Sequence, residues 1–208
     1  MIKKVGIINY GVGNLMSIAK AVEFLGILPE IIKKATKKKF DMLILPGVGS
    51  FGYAVDYVKK NGLYDIILEF ITSKKPVLGI CLGMQLLFDK SEEAKNYKGF
   101  EILKGDVIKF KNNTKFPVPH MCWNLVEFKF LHPVLLKGLN KKEFFYFVHS
   151  YFCVPEDKSI IFGTTNYINK FCSMIVKENI IATQFHLEKS GISGLKLLKN
   201  ILDYFNTF

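Results

Sequence analysis

The sequence predicts an α/β fold: a mixed, mostly parallel central sheet with flanking helices and an added small antiparallel β portion. Three observations carry this expectation. Over roughly the first hundred residues, short apolar runs alternate with segments of helical spacing, the pattern of a parallel sheet covered by helices. Beyond that point long helical segments stop, and short strand-like runs follow one another across turn signals. The chain then closes on one amphipathic segment. With 208 residues, 50% of them hydrophobic, a single domain spanning 1–208 with a full core is expected.

Each element has a local reason. Val5 to Ile8 is a short apolar strand, and residues 9–14 form a glycine-bearing turn. Residues 16–25 place Ile18, Ala21, Val22 and Leu25 at helical spacing and stop at Gly26, a helix-ending residue. Strands follow at 30–33 and 42–45, separated by a lysine-rich loop. Pro46-Gly47-Val48-Gly49 is a loop, and 53–60 and 63–72 read as helices split by Asn61-Gly62. Val77 to Ile80 is too short for most helices and reads as a buried central strand. In the second half, strands are expected at 106–110, 125–130, 144–148, 160–166, 172–177 and 180–184. Their separators include Asn112-Asn113, Pro155-Glu156-Asp157 and Glu178-Asn179. The final helix, 192–205, carries Leu195, Leu197, Leu198, Ile201, Leu202 and Phe205 as a stripe for packing on the sheet.

Composition excludes several classes. No run reaches the roughly 18 apolar residues of a membrane helix, and the first apolar run stops at Asn9, too soon for a secretion signal. A cytoplasmic protein without a membrane partner is expected. Cys81, Cys122, Cys153 and Cys172 fit no metal spacing and no small disulfide framework, so reduced thiols and no metal are expected. The formal charge of +11 raises nucleic acid as a partner, but all 29 basic residues are lysine and none is arginine. Arginine supplies the planar fork that suits phosphate and guanine edges. The one dense cluster, Lys33-Lys34 with Lys37-Lys38-Lys39, reads as a solvated loop, so no nucleic-acid partner is expected.

One stretch has chemistry written into it. Gly79-Ile80-Cys81-Leu82-Gly83 puts a cysteine at a strand-to-helix junction, with a glycine two residues to either side. A sharp turn there lifts the side chain off the strand, and small flanking residues allow close backbone approach. The helix beyond adds unpaired N–H groups and the positive end of its dipole beside the sulfur. A bland alternative is that Cys81 is a small buried hydrophobe. Against it stands Gln184-Phe185-His186-Leu187-Glu188, where a histidine follows a strand and a carboxylate lies two residues on. Thiol, imidazole and carboxylate are the parts of a nucleophilic triad: Cys81, His186, Glu188.

These two stretches resemble the signature motifs of class I (triad) glutamine amidotransferases. The resemblance extends over essentially the whole chain. Asn9-Tyr10-Gly11-Val12-Gly13-Asn14, Pro46-Gly47-Val48-Gly49-Ser50-Phe51, Val118-Pro119-His120-Met121-Cys122-Trp123-Asn124 and Phe147-Val148-His149-Ser150-Tyr151 are similar to the glutaminase subunits of imidazole glycerol phosphate synthases. The resemblance implies glutamine hydrolysis, no cofactor, and a heterodimer with a synthase/cyclase subunit that consumes the ammonia in histidine biosynthesis. It implies an oxyanion site from the Leu82 amide and the 47–49 loop (Gly47, Val48, Gly49), most directly the Val48 amide. It gives Gln85, His149, Ser150 and Tyr151 to the substrate, and His120, Met121, Trp123, Asn124 and Lys189 to the partner interface. The family pattern has glycine where Cys122 stands and proline where Leu187 stands, which bears on the interface geometry and on the stiffness of the triad. Three rival readings are a paralogous glutaminase feeding a sugar amidotransferase of surface polysaccharide synthesis, a non-catalytic scaffold subunit, and an ester-cleaving α/β-hydrolase. A glutamate only two residues past the histidine does not suit the last.

Overall fold

A computed structural model describes residues 1–11, 15–111 and 114–207. Val12, Gly13 and Asn14 of the first motif, and the Asn112-Asn113 turn, lie outside the described residues. The elements run β1 (Lys4–Ile8), α1 (Leu15–Phe24), β2 (Leu28–Ile32), β3 (Met42–Leu45), α2 (Phe51–Lys60), α3 (Leu63–Thr72), β4 (Val77–Ile80) and α4 (Leu82–Leu86). Then come β5 (Lys90–Ser91), β6 (Gly105–Lys109), β7 (His120–Phe128), β8 (Lys142–His149), β9 (Tyr151–Pro155), β10 (Ile161–Asn166), β11 (Lys170–Lys177), β12 (Ile180–Thr183) and α5 (Gly191–Phe205). Among the described residues no helix is long and apolar enough to cross a membrane.

Among the described residues, nine strands form one sheet in the order β2-β1-β3-β4-β12-β11-β10-β7-β8. Pairings from β2 to β12 are parallel, and those from β12 to β8 are antiparallel. The mixed sheet agrees with expectation, but the parallel pairings make up half of it rather than most. The antiparallel strands continue the central sheet, because β11, β10, β7 and β8 add in turn beyond β12. A separate small sheet, β5-β6-β9, holds the remaining strands. Strand β9 and the first half of β7 were not legible as strands. Tyr151–Pro155 ends in a turn signal, and His120–Asn124 follows the prolines at 117 and 119.

The strand pattern creates two cores. Val5, Ile7, Met42, Ile44, Leu78 and Ile80 face one side, packing with α1 and α5 through Leu15, Ile18, Val22, Leu197, Leu198 and Ile201. Ile8, Leu43, Leu45 and Val77 face the other, against Phe51, Val55 and Val58 of α2 and Leu63, Ile67 and Phe70 of α3. All four residues of β3 and of β4 are buried, as expected of interior parallel strands. The lysine cluster at 33–39 is an exposed loop, in which Lys38 reaches Glu30 at 2.6 Å.

The tightest approach in this core lies beside the elbow. A Cβ on Gly83 would stand 1.9 Å from the Leu45 carbonyl oxygen, and one on Gly79 would stand 3.0 Å from the Gly83 carbonyl. Backbone cannot retreat as a flexible side chain can, so only glycine lets α4 sit down on β3 and β4. Gly83→Ala should therefore destabilise by about 3 kcal/mol or more, read as a large fall in melting temperature or loss of soluble protein. Ala in place of Gly26, which has no atom within 4 Å but holds φ +78°, should cost less.

Candidate active site

Cys81 links β4 to α4 with φ 50° and ψ −104°, a conformation that side-chain-bearing residues avoid. Its backbone is pinned on both sides. The Cys81 N–H donates to the Thr183 carbonyl at 2.7 Å, and the Cys81 carbonyl accepts from Met84 and Gln85 at 3.1 and 3.2 Å. Cys81 is buried at the edge of the core, where it also lines a cleft. Leu82 is the first helical residue, so its amide has no intrahelical acceptor.

Strand β12 pairs with β4 and ends at Thr183, three residues before His186, which brings the second motif to the first. His186 is fully buried. Its Nδ1–H donates to Glu188 Oε1 at 2.7 Å, so that Nε2 is the nitrogen that gains or loses the second proton. Among the described residues, neither His186 Nε2 nor Glu188 Oε2 has a hydrogen-bond partner. Burial pulls the imidazolium of His186 down, but the charge and hydrogen-bonding reach of Cys81, with the Glu188 carboxylate, outweigh it and raise the pKa to about 10. Both side chains surround Gly47, where a Cβ would meet Cys81 Cβ at 2.8 Å and His186 Cε1 at 3.0 Å. The backbone of His186 is held as well, its N–H donating to the Tyr146 carbonyl at 3.0 Å. Leu187 does not loosen this arrangement. It is fully buried and begins the 3₁₀ turn Leu187–Lys189, so packing replaces the restraint of a proline.

The cleft over Cys81 has a volume of about 260 Å³. Gly47, Val48, Gly49, Leu82, Gln85, His149, Ser150 and Tyr151 all line it, as the sequence reading grouped them. Gly49 holds φ +134°, a backbone state suited to glycine. Gln85 Nε2 donates to the Tyr151 carbonyl at 3.0 Å and to Gln184 Oε1 at 3.1 Å, and Gln184 Nε2 lies 3.4 Å from Cys81 Sγ. Two functional candidates escaped the sequence reading. Gln184 was quoted only as part of a motif. Glu93 was not singled out at all; it is an acidic side chain lining the cleft, and burial raises its pKa.

The candidate interface residues divide. Met121 is 61% exposed and Trp123 51%, and with Tyr146 and the half-exposed Phe144 they form an apolar face on β7 and the edge strand β8. Cys122 is exposed beside them on extended strand, without the left-handed backbone that would demand glycine, and Lys189 is exposed as well. His120 does not belong to that face. It is fully buried, stacked between Phe147 and Tyr167, because strand alternation turns it inward while Met121 points out. Asn124 is only partly exposed. The His149 ring is engaged at both nitrogens, with Tyr151 and His120, so its side chain is not free for a ligand.

Residues 7–203 match the family described as Glutamine amidotransferase class-I. The chain belongs to that family. It is 45% identical over 197 residues to the imidazole glycerol phosphate synthase subunit HisH of Aquifex aeolicus, covering 93% of each chain. It is 45% identical to the protein of that name from Methanocaldococcus jannaschii, covering 96% of this chain and 98% of that one. Among solved structures, PurLQS from Thermotoga maritima superposes with TM-score 0.76 at 18% identity, covering 98% of this chain and 99% of the other. A further structure titled glutamine amidotransferase gives TM-score 0.75 at 15% identity, covering 97% and 98%. These structural likenesses establish the class I amidotransferase fold, and the sequence relatives establish the chain as an amidotransferase of the HisH type.

Two buried histidines of the site set an acid limit. Burial lowers the pKa of His120 to about 4 and that of His149 to about 3, from an ordinary 6.5. Both are depressed, so the unfolded chain takes up protons first as pH falls below 6.5. The contribution of these two rings should be full above about pH 6.5 and fall from there towards pH 4, with a linkage limit near 1.4 kcal/mol per pH unit for each proton. His186 has the opposite sign: its raised pKa stabilises below pH 6.5, and that contribution is lost as pH rises towards 10. Urea unfolding at pH 7, 6 and 5 should show the acid loss, and His120→Phe should flatten the slope.

Proposed function

We propose that this chain hydrolyses glutamine to glutamate and ammonia and passes the ammonia to a synthase/cyclase subunit. That partner would make imidazole glycerol phosphate and AICAR in histidine biosynthesis, in the cytoplasm. The observation that carries the reading is the conjunction at one cleft: a cysteine on a strained elbow beside a buried His186–Glu188 pair. Names of the full-length relatives support the synthase and its partner.

Cys81 Sγ attacks the side-chain carboxamide carbon. His186 Nε2 takes the thiol proton and returns it to the departing amide nitrogen, which leaves as ammonia. Glu188 keeps the proton on Nδ1 and supports the imidazolium, consistent with the raised His186 pKa. The glutamyl thioester then reacts with water, which His186 deprotonates, and glutamate leaves as Cys81 recovers its proton. The oxyanion needs two donors about 3 Å away. The Leu82 amide supplies one. The Val48 amide supplies the other, from a peptide flanked by Gly47 and Gly49 that is free to turn. Glu93 pairs with the substrate's α-ammonium, being the acidic side chain lining the cleft, and Gln85 with backbone at Ser150 and Tyr151 holds the rest of the substrate's amino acid end.

The partner covers the face carrying Met121, Trp123 and Phe144, with Asn124 at its margin and Lys189 forming an ion pair across the joint. This face shares β8 with Tyr146, whose carbonyl holds the His186 backbone. Docking there seals ammonia from water close to where it is released.

Glutamate release should be strong with the synthase subunit and its nucleotide substrate present, and should fall by at least about a thousandfold in Cys81→Ala and His186→Ala. A coupled assay with and without the partner checks this. Wild-type release restored only by a sugar amidotransferase would overturn the histidine assignment, and none under any pairing would overturn the glutaminase. Trp123→Ala should weaken the heterodimer about tenfold or more, measured by titration calorimetry, without changing the fold.

A further inference from the structure

The buried histidines of the 120 and 149 positions are too well connected to be filler. Tyr151 O, a pure acceptor, lies 2.8 Å from His149 Nδ1, so that nitrogen carries the proton. His149 Nε2 is then an acceptor, and His120 Nδ1 at 2.9 Å must be its donor. His120 Nε2 in turn accepts from Asn124 Nδ2 at 3.1 Å, and the same amide also donates to the Asn166 carbonyl at 2.9 Å. From Tyr151 the series continues inward. Its carbonyl accepts from Gln85 Nε2, which also donates to Gln184 Oε1, and Gln184 Nε2 reaches Cys81 Sγ at 3.4 Å. Every tautomer and amide orientation in the series is dictated by its neighbour.

Building on the glutaminase reading, we propose that His120 and His149 are positioning residues for Cys81, members of one hydrogen-bonded chain from Asn124 on β7 to the sulfur. The chain does not conduct protons, because the Tyr151 carbonyl accepts from both sides and breaks the direction of donation. It sets positions. Were His149 to carry its proton on Nε2, a lone pair would face the Tyr151 carbonyl at hydrogen-bond distance. The carbonyl would swing away and release Gln85, and with it the orientation of Gln184 against the sulfur. Because β7 also carries Trp123, a shift of that strand moves the same series. The low pKa values of both rings agree with the neutral forms that the chain requires.

The test uses the full chain in complex with its synthase partner. His120→Phe keeps a ring of similar size but removes the donor. His120→Asn keeps a donor near the Nδ1 position. Glutamate release and the rate of Cys81 alkylation by iodoacetamide should both fall about tenfold in His120→Phe, the scale of one lost buried hydrogen bond. His120→Asn should recover to within about threefold. In the wild type, ¹⁵N shifts of His149 should report the Nδ1–H tautomer, a readout that needs no variant to fold. An Nε2–H tautomer, a folded His120→Phe with wild-type rates, or equal losses in the two variants would each overturn the proposal. A wild type silent towards glutamine would overturn the glutaminase reading instead, and the tautomer and alkylation rates would still judge the chain on their own.

Discussion

Backbone pressed against backbone at the foot of α4 is the constraint on which the site depends. Gly83 rests on the Leu45 carbonyl, Gly79 faces Gly83, and Gly47 fills the space between Cys81 and His186. Three strands, β3, β4 and β12, meet there in register, and the Thr183 carbonyl ties the elbow to β12 through the Cys81 amide. A side chain at any of the three glycines would push apart elements that must be adjacent. The strained φ of Cys81 persists because this surrounding structure over-determines it.

The sheet divides the work at β12. On one side the parallel strands, whose inner members β3, β4 and β12 are fully buried, build a platform that presents Cys81. On the other the antiparallel strands, solvated along their outer edge, supply the cleft wall at 148–151 and the exposed Trp123 face. Strand β12 is parallel to β4 and antiparallel to β11, and His186 lies three residues past its end. Cys81 and His186 therefore lie where the two halves join. A partner resting on the antiparallel edge touches elements that also hold the histidine.

Histidines within one small region are driven to opposite states by their neighbours. His186 is as buried as His120, but a carboxylate and a sulfur face it, so it favours its proton. His120 and His149 face each other, aromatic rings and neutral dipoles, so they stay uncharged. Burial is common to all three, and the partner's charge decides between them. That contrast places a ring that holds its proton beside a neutral pair.

The local chemistry of the chain was determined by its sequence. Val77–Ile80 followed by Gly-Ile-Cys-Leu-Gly specifies a strand, a turn and a helix, because glycine spacing and apolar run length act over a few residues. The alternation up to Thr72 specifies the parallel half for the same reason, and His186 with Glu188 declares itself by proximity. Only the tertiary structure decided which face each residue of His120–Asn124 presents, since a single step of strand register exchanges inside for outside. It turned His120 into the interior and left Met121 and Trp123 in solvent. It likewise made the antiparallel strands a continuation of the central sheet, since pairing depends on which edge is open when they arrive. Glu93 and Gln184 entered the site by the same route: their spacing from Cys81 in the chain carries no signal, and only packing of distant segments brings them to the cleft.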